Sequence, residues 1–338
     1  MSAETKTHDV DLPPAPASPV DAAGRPTFGA FVGECRDVSW ARLDGPFARG
    51  PLWRLLHAKR WHYASIAGPR VVAAVAVVDV GYAANAFVYL FDRESRTLVA
   101  DHSFLGLPWL MARVSGHAIE GARTSWSGGG ARLLLERGTD FWRLWARTHG
   151  DFEIEATFED GPMPTLCAVA QIERGVANCT HKVACLPVHG TARSGVRRWD
   201  LEDHTGAIDH TYGLLARDTT WRWASAARAD LGLNISQGFN GPVENAVWYE
   251  GRVHAVGPAE IVYDASSPRG AWRVRSHDGA VDLTFRPEGE RRQEKDLIIA
   301  KSSYRQPIGT FSGTIRLPDG TIDVADLVGV TEDHTARW

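Results

Sequence analysis

Methionine is scarce, with three residues in 338, and cysteine is limited to Cys35, Cys167, Cys179 and Cys185. Four cysteines are too few to staple a chain of this length, so packed cores must hold it together instead of a disulfide framework. A surplus of positive charge is also missing. The 37 Lys and Arg against 41 Asp and Glu give a formal net charge of -4. This balance gives no general attraction for nucleic acid or an anionic membrane, because nucleic-acid binders draw much of their affinity from neutralising phosphates. Long apolar runs are absent as well: the longest, at 71–78, is strand-sized, against the roughly 18 residues of a membrane span. The opening stretch MSAETKTHDVDLPPAPASPVDAAG has neither the basic nor the apolar region of a secretory signal. Reduced cysteines and a cytoplasmic location are the expectation.

Tryptophan is abundant, at 13 residues. Each brings a large apolar area and one N–H that needs a partner, which suits wide barrel interiors or pockets for flat, apolar ligands. Residues 1–26 are rich in Pro and Ala and poor in aromatic and β-branched residues. Such a segment buries too little apolar surface to offset its ordering entropy and reads as a disordered tail. Beyond it the pattern is of strands and turns. In WRVRSHDGAVDLTFRP (272–287), apolar and polar residues alternate on both sides of Asp278-Gly279, and Asp-Gly suits the positive φ of a tight hairpin turn. The segments 151–160 and 314–327, the second around Asp319-Gly320, read the same way. Helical spacing is confined to short stretches such as 109–114. The expectation is an all-β protein of sandwich or barrel type.

An internal repeat sharpens that expectation. WHYASIA (61–67) matches WRWASAA (221–227), and NAFVY (85–89) matches NAVWY (245–249) at the same offset. WRLWARTHG (142–150) resembles WRVRSHDG (272–279) in the same order along the chain. A duplication follows, giving two consecutive antiparallel barrels at 27–187 and 188–338.

The densest group of chemically capable residues is GAIDHTYGLLARDTTWRWASA (206–226), with Asp209, His210, Tyr212, Arg217, Trp221 and Trp223. Trp221 and Trp223 are two apart and share a strand face. Paired indoles exclude water and stabilise developing positive charge, while Asp209 or His210 moves a proton. The bland alternative is a solvated turn followed by core tryptophans. Glu244 is a candidate second carboxylate, and Asn245 beside it and Trp61 complete the ligand-binding candidates. Glu332, His334 and Arg337 are spaced along the last segment, where Arg337 suits a structural role closing a barrel. In CTHKVAC (179–185), Cys179, His181 and Cys185 would share a strand face, but their spacing fits no recognised zinc pattern, so packing is the expectation and no metal is assigned. SGGG (127–130) and GTFSG (309–313) lack the spacing of a phosphate loop or a nucleophile elbow. No cofactor motif emerges.

The segments KRWHYASI (59–66), DHTYGLLARDTTWRWAS (209–225), ENAVWYEGRVH (244–254), 272–287, IGTFSG (308–313) and GVTEDHTARW (329–338) together resemble the DUF2804 family over most of the chain past the tail. More distantly, Asp209-His210-Thr211-Tyr212-Gly213 followed by Trp221-Arg222-Trp223 is similar to the lipocalin-like group that includes carotenoid and kievitone hydratases. Those proteins carry Glu where Thr211 stands. The resemblance implies two lipocalin-like barrels, a pocket for a hydrophobic small molecule, and cofactor-independent hydration, isomerisation or cyclisation. A non-catalytic carrier of a lipophilic ligand is the alternative, and a carbohydrate-active protein with Trp platforms is a third reading.

Overall fold

The computed structural model describes residues 12–267, 269–296 and 301–338. Two antiparallel sheets account for most of it. The first runs, in spatial order, Thr97–Gly106, Ala84–Asp92, Val71–Asp79, Ala58–Ala67, His204–Leu214, Ala177–Ser194, Phe152–Glu159, Phe141–Thr148, Ala131–Arg137, Arg123–Gly128 and Ala112–Arg113, and is a nearly closed barrel. Gly29–Val32, Leu166–Gln171 and Arg197–Asp200 pair at its margin. The second sheet has nine strands, in the order Arg252–Ala255, Ala246–Tyr249, Leu231–Gly238, Asp218–Arg228, Gly320–Arg337, Lys301–Leu317, Val281–Asp296, Trp272–Ser276 and Ala259–Tyr263. Among the described residues no helix is long and apolar enough to cross a membrane.

Alternation along the strands decides what each barrel encloses. The first core collects Ala64, Ile66, Val88, Leu90, Trp142, Leu144, Ile154 and Phe158, among others. The second collects Ala224, Ala226, Leu233, Trp272, Val274, Leu283 and Phe285. A third apolar layer, with Tyr63, Ala74, Tyr89, Phe91, Ile308 and Val330, joins the outer face of one barrel to that of the other. Glycine makes one close approach feasible: a Cβ on Gly206 would lie 2.0 Å from the Phe158 ring.

The hairpins follow the expected turns. Trp272 pairs with Phe285 and Val274 with Leu283, across a turn in which Gly279 takes φ of 75°. Ile315 pairs with Ile322 around Asp319-Gly320. The repeat segments fall at equivalent places. Ala58–Ala67 and Asp218–Arg228 each sit between their next strand and a late-returning one, and the NAFVY and NAVWY segments lie two strands further along the same side. Counting the other way, Phe141–Thr148 and Trp272–Ser276 are each four places away.

Three expectations change. Residues 109–114 form no helix: Trp109 has positive φ and the chain passes into the short strand Ala112–Arg113. The one α-helix described is Pro51–His57. The expected boundary at 187/188 cuts the continuous strand Ala177–Ser194, and His204–Leu214 also belongs to the first sheet; the chain changes sheets between Leu214 and Asp218. Within the expected tail, residues 1–11 lie outside the described residues, but 12–26 are held against the first barrel. Ala15 N–H donates to Val32 O at 2.7 Å and Val20 is buried. Val20 docks on a small apolar core with Val38, Trp40 and Leu43, contacts that composition averaged over the segment does not reveal.

Candidate active site between the barrels

Strand alternation carries one set of polar residues to the junction. Along Ala58–Ala67 and His204–Leu214, whose partners include Ala64 with Ile208 and His62 with His210, these four point into the first barrel. Tyr63, Asp209 and Thr211 therefore point outward, to the second barrel. There, Ala224 and Ala226 turn inward, which leaves Trp221 and Trp223 on the outer face.

Lys182 stands at the centre. Its Nζ is 2.5 Å from Asp209 Oδ2 and 3.4 Å from Glu244 Oε2, and it lies 5.6 Å from the centre of the Trp223 ring. The other Asp209 oxygen accepts from Thr180 Oγ1 at 3.2 Å and Thr211 Oγ1 at 3.1 Å. Asn240 Nδ2 donates to Glu244 Oε1 at 3.0 Å and is itself positioned by Asn178. Trp223 Nε1 donates to Asn234 Oδ1 at 2.8 Å, and Asn234 Nδ2 donates to Glu244 O at 2.8 Å. Burial alone would discharge Lys182, but Asp209 and Glu244 outweigh it and hold the ammonium above its usual range.

The second barrel supplies a counterpart. Trp223 is the strand partner of Glu332 as Tyr63 is of Asp209. Glu332 Oε1 accepts from Trp221 Nε1 at 2.8 Å, and Oε2 accepts from Gln306 Nε2 at 3.0 Å. Gln306 Oε1 in turn accepts from the Tyr89 hydroxyl at 2.7 Å. Burial pushes the Glu332 carboxyl up to about 7, even though hydrogen bonds from Trp221 and Gln306 and the charge of Lys182 pull the other way. The group is thus poised near neutrality, where a side chain is most effective as a general acid or base. Arg291, 1% exposed, lies over the Phe87, Tyr89 and Tyr304 rings and pairs with Asp101 at 2.8 Å, tying the second barrel to the first.

Beside Lys182, Asp209 and Trp223 lies a cavity of about 20 Å³, enough for about one water molecule. Tyr63, Lys182, Asp209, Trp223, Asn234 and Trp248 are among the residues that wall it. Tyr63 borders this cavity and the Tyr304 hydroxyl reaches toward the Glu332 carboxyl; both rings are buried.

Of the candidates read from sequence, Asp209, Glu244 and Trp223 come together around Lys182, and Trp221 joins Glu332. His210 does not. Neighbouring strand residues face opposite ways, so it lies inside the first barrel, with Nε2 2.9 Å from Ser115 O and its ring edge-on to His62. Burial drops its pKa to about 4. Tyr212 is outside the cluster, under the Arg60 guanidinium at 4.0 Å and edge-on to Trp40. Arg217 accepts the Trp338 N–H on its carbonyl at 2.8 Å, near the chain end. Asn245 accepts from Ser236 N–H at 2.7 Å and donates to Gly257 O at 3.0 Å, a bracing role. Trp61 packs against the small apolar cluster of Ala170, Ile172, Leu215 and Ala216. Arg337 bonds Asp218 at 2.8 Å on the neighbouring strand, and the His334 ring lies tilted against Trp221 with ring centres 4.2 Å apart. Sequence reasoning passed over Lys182, Tyr63 and Gln306. The one signal was a lysine within CTHKVAC, a stretch whose cysteines drew attention instead.

The fold recurs in proteins of very low identity. Kievitone hydratase from Nectria haematococca superposes with a TM-score of 0.53 at 10% identity, covering 97% of this chain and 98% of that one. CghA in complex with Sch210972 gives a TM-score of 0.56 at 11% identity over 97% of both chains. An AttH-like protein from Nitrosomonas europaea gives 0.54 at 15%, covering 86% of this chain and 96% of the other. No curated protein matches the sequence significantly. The family model that does match, a domain of unknown function designated DUF2804, spans residues 14–338, and the chain belongs to that family.

Proposed function

We propose that this protein is a cofactor-independent acid–base enzyme of the hydratase or isomerase–cyclase type, acting on an unsaturated, largely apolar small molecule at the junction between its two barrels. One observation carries this reading: a buried carboxyl, Glu332, held by Trp221 and Gln306 and paired across strands with the Trp223 that Lys182 covers, is kept near neutrality next to the Lys182–Asp209–Glu244 cluster. Simple packing gives no reason for so costly an arrangement.

In this reading Glu332 donates a proton to the substrate. Tyr63, Trp221 and Trp223 exclude water and screen the cationic character that develops. Asp209 and Lys182 hold and orient the water or hydroxyl that adds or leaves. The cavity takes one water in its present form, so substrate entry requires an indole to swing aside. Hydration is also the reaction named for one of the structural neighbours. The equivalent placing of the repeat segments supports an origin by duplication, with the site formed where the two halves meet.

Native mass spectrometry of the purified protein, with solvent extraction of whatever copurifies, tests the proposal. A discrete lipophilic adduct, chemically changed on incubation with the wild type but not with Glu332→Gln, is the expected result. Turnover should fall as pH rises through about 7, because the acid must carry its proton. A ligand retained unchanged by both proteins would instead establish a carrier.

A further inference from the structure

Three of the four cysteines converge at a second place, far apart in sequence and away from the junction. Cys167 and His181 are direct cross-strand partners, and Cys179 lies two residues from His181 on the same face. Ligand atoms of Cys167, Cys179 and His181 all lie within 4.8 Å of one another. Cys35, from the segment preceding the first long strand, packs in the same buried cluster as Cys167 and Cys179, and its backbone N–H reaches the His181 ring at 3.0 Å. All four residues are buried, at no more than 1% exposure. Cys185 leaves this face because a bulge falls between Val183 and Leu186 and Cys185 takes positive φ there. The local motif CTHKVAC thus supplies two members, and tertiary structure replaces its second cysteine with Cys35 and Cys167.

We propose that Cys35, Cys167, Cys179 and His181 form a closed zinc site that pins the N-terminal segment to the first barrel. Three sulfurs and one imidazole are a common structural zinc set, and tetrahedral bonds of about 2.3 Å to sulfur and 2.0 Å to nitrogen put neighbouring ligand atoms roughly 3.5–3.8 Å apart. Cys167, Cys179 and His181, within 4.8 Å of one another, reach that with small side-chain movements, and Cys35 completes the set by turning its thiol toward them. Apolar packing accounts for buried thiols, but not for the ring of His181. Its Nε2 accepts the Cys35 N–H at 3.0 Å, while Nδ1 is buried with no partner. Coordination through Nδ1, with the ring proton moved to Nε2, gives the ring a bond that its surroundings withhold. The Cys35 amide, no longer accepted by Nε2, then lies at hand to donate to a thiolate. On binding, each thiol releases its proton and the ion takes the sulfur lone pairs, with no change of oxidation state.

Elemental analysis of untagged protein, purified under reducing conditions from zinc-supplemented cells, tests the site. The expected result is one zinc per chain in the wild type and in Cys185→Ser, lost in Cys35→Ser/Cys179→Ser. Because that double variant can fail to fold, the wild type is also stripped with a chelator and titrated with Co²⁺. A thiolate-to-cobalt charge-transfer band with the visible bands of tetrahedral cobalt, saturating at one equivalent, is expected. Metal-free protein that develops no such band would overturn the proposal. So would metal retained in full by a folded double variant, or a disulfide linking two of the three cysteines that persists in protein purified under those reducing conditions.

Discussion

Replacing Glu332 with Gln should change how stability depends on pH, and by an amount the structure fixes. The carboxyl is held at about 7, against an ordinary value of 4.5, so ionising it is about 3 kcal/mol harder in the folded protein than in the unfolded chain. The sign follows from linkage. Between these two values the folded state keeps a proton that the unfolded state has released, so stability falls as pH rises. Below 4.5 the site imposes no penalty, and above about 7 the penalty is complete. Gln is neutral throughout, preserves the volume and still accepts the Trp221 N–H. From pH 5 to pH 8 the wild type should therefore lose about 2.5 kcal/mol more than the variant. Urea denaturation of both proteins across that range measures the difference directly, provided the m-values agree. Other titrating groups contribute to both curves and cancel. Parallel curves, with a gap that does not change with pH, would refute the assignment of a near-neutral buried acid, and with it the proposed general acid.

The other predictions concern how the junction and cores are held. Lys182→Met strands Asp209 and Glu244 as buried charges and should cost about 3–5 kcal/mol, much of it recovered when Asp209→Asn and Glu244→Gln are added; equilibrium unfolding of the single and triple variants checks this. Gly206→Ala places a methyl 2.0 Å from the Phe158 ring and should destabilise by about 1–3 kcal/mol, with Phe158→Leu restoring part of the loss; if the double variant is no better than the single one, the clash is misassigned. Arg291→Met keeps apolar bulk but removes the pair with Asp101, which is about a third exposed, so about 1–2 kcal/mol is expected after allowing for solvent screening. Calorimetry should show the two barrels unfolding less cooperatively in that variant.

Period-2 alternation, Asp-Gly turns and the recurrence of Trp-aromatic-Ala-Ser segments are local features, and they made the all-β, two-barrel architecture legible in the chain alone. Asp209, Trp221 and Trp223 were legible as candidates because their chemistry is dense in a short span, and Glu244 as a carboxylate just before the NAVWY strand. Their arrangement was not. Whether Asp209 or His210 faces the partner barrel depends on strand register, which is set by pairing with residues about 150 positions earlier, such as Tyr63 and His62. Lys182 became visible only when its strand was laid beside His204–Leu214, and the place of Glu332 at the junction only when Gly320–Arg337 met Asp218–Arg228. The cysteine cluster shows the same division. Sequence placed Cys179 and His181 on one strand face, whereas a bulge removed Cys185 and long-range folding delivered Cys35 and Cys167. The sequence by itself determined the strands, their turns and the repeat, since those rest on neighbours along the chain. Tertiary structure alone decided the buried charge cluster, the near-neutral acid and the thiol site, because burial and ligand geometry are properties of residues brought together from distant parts of the chain.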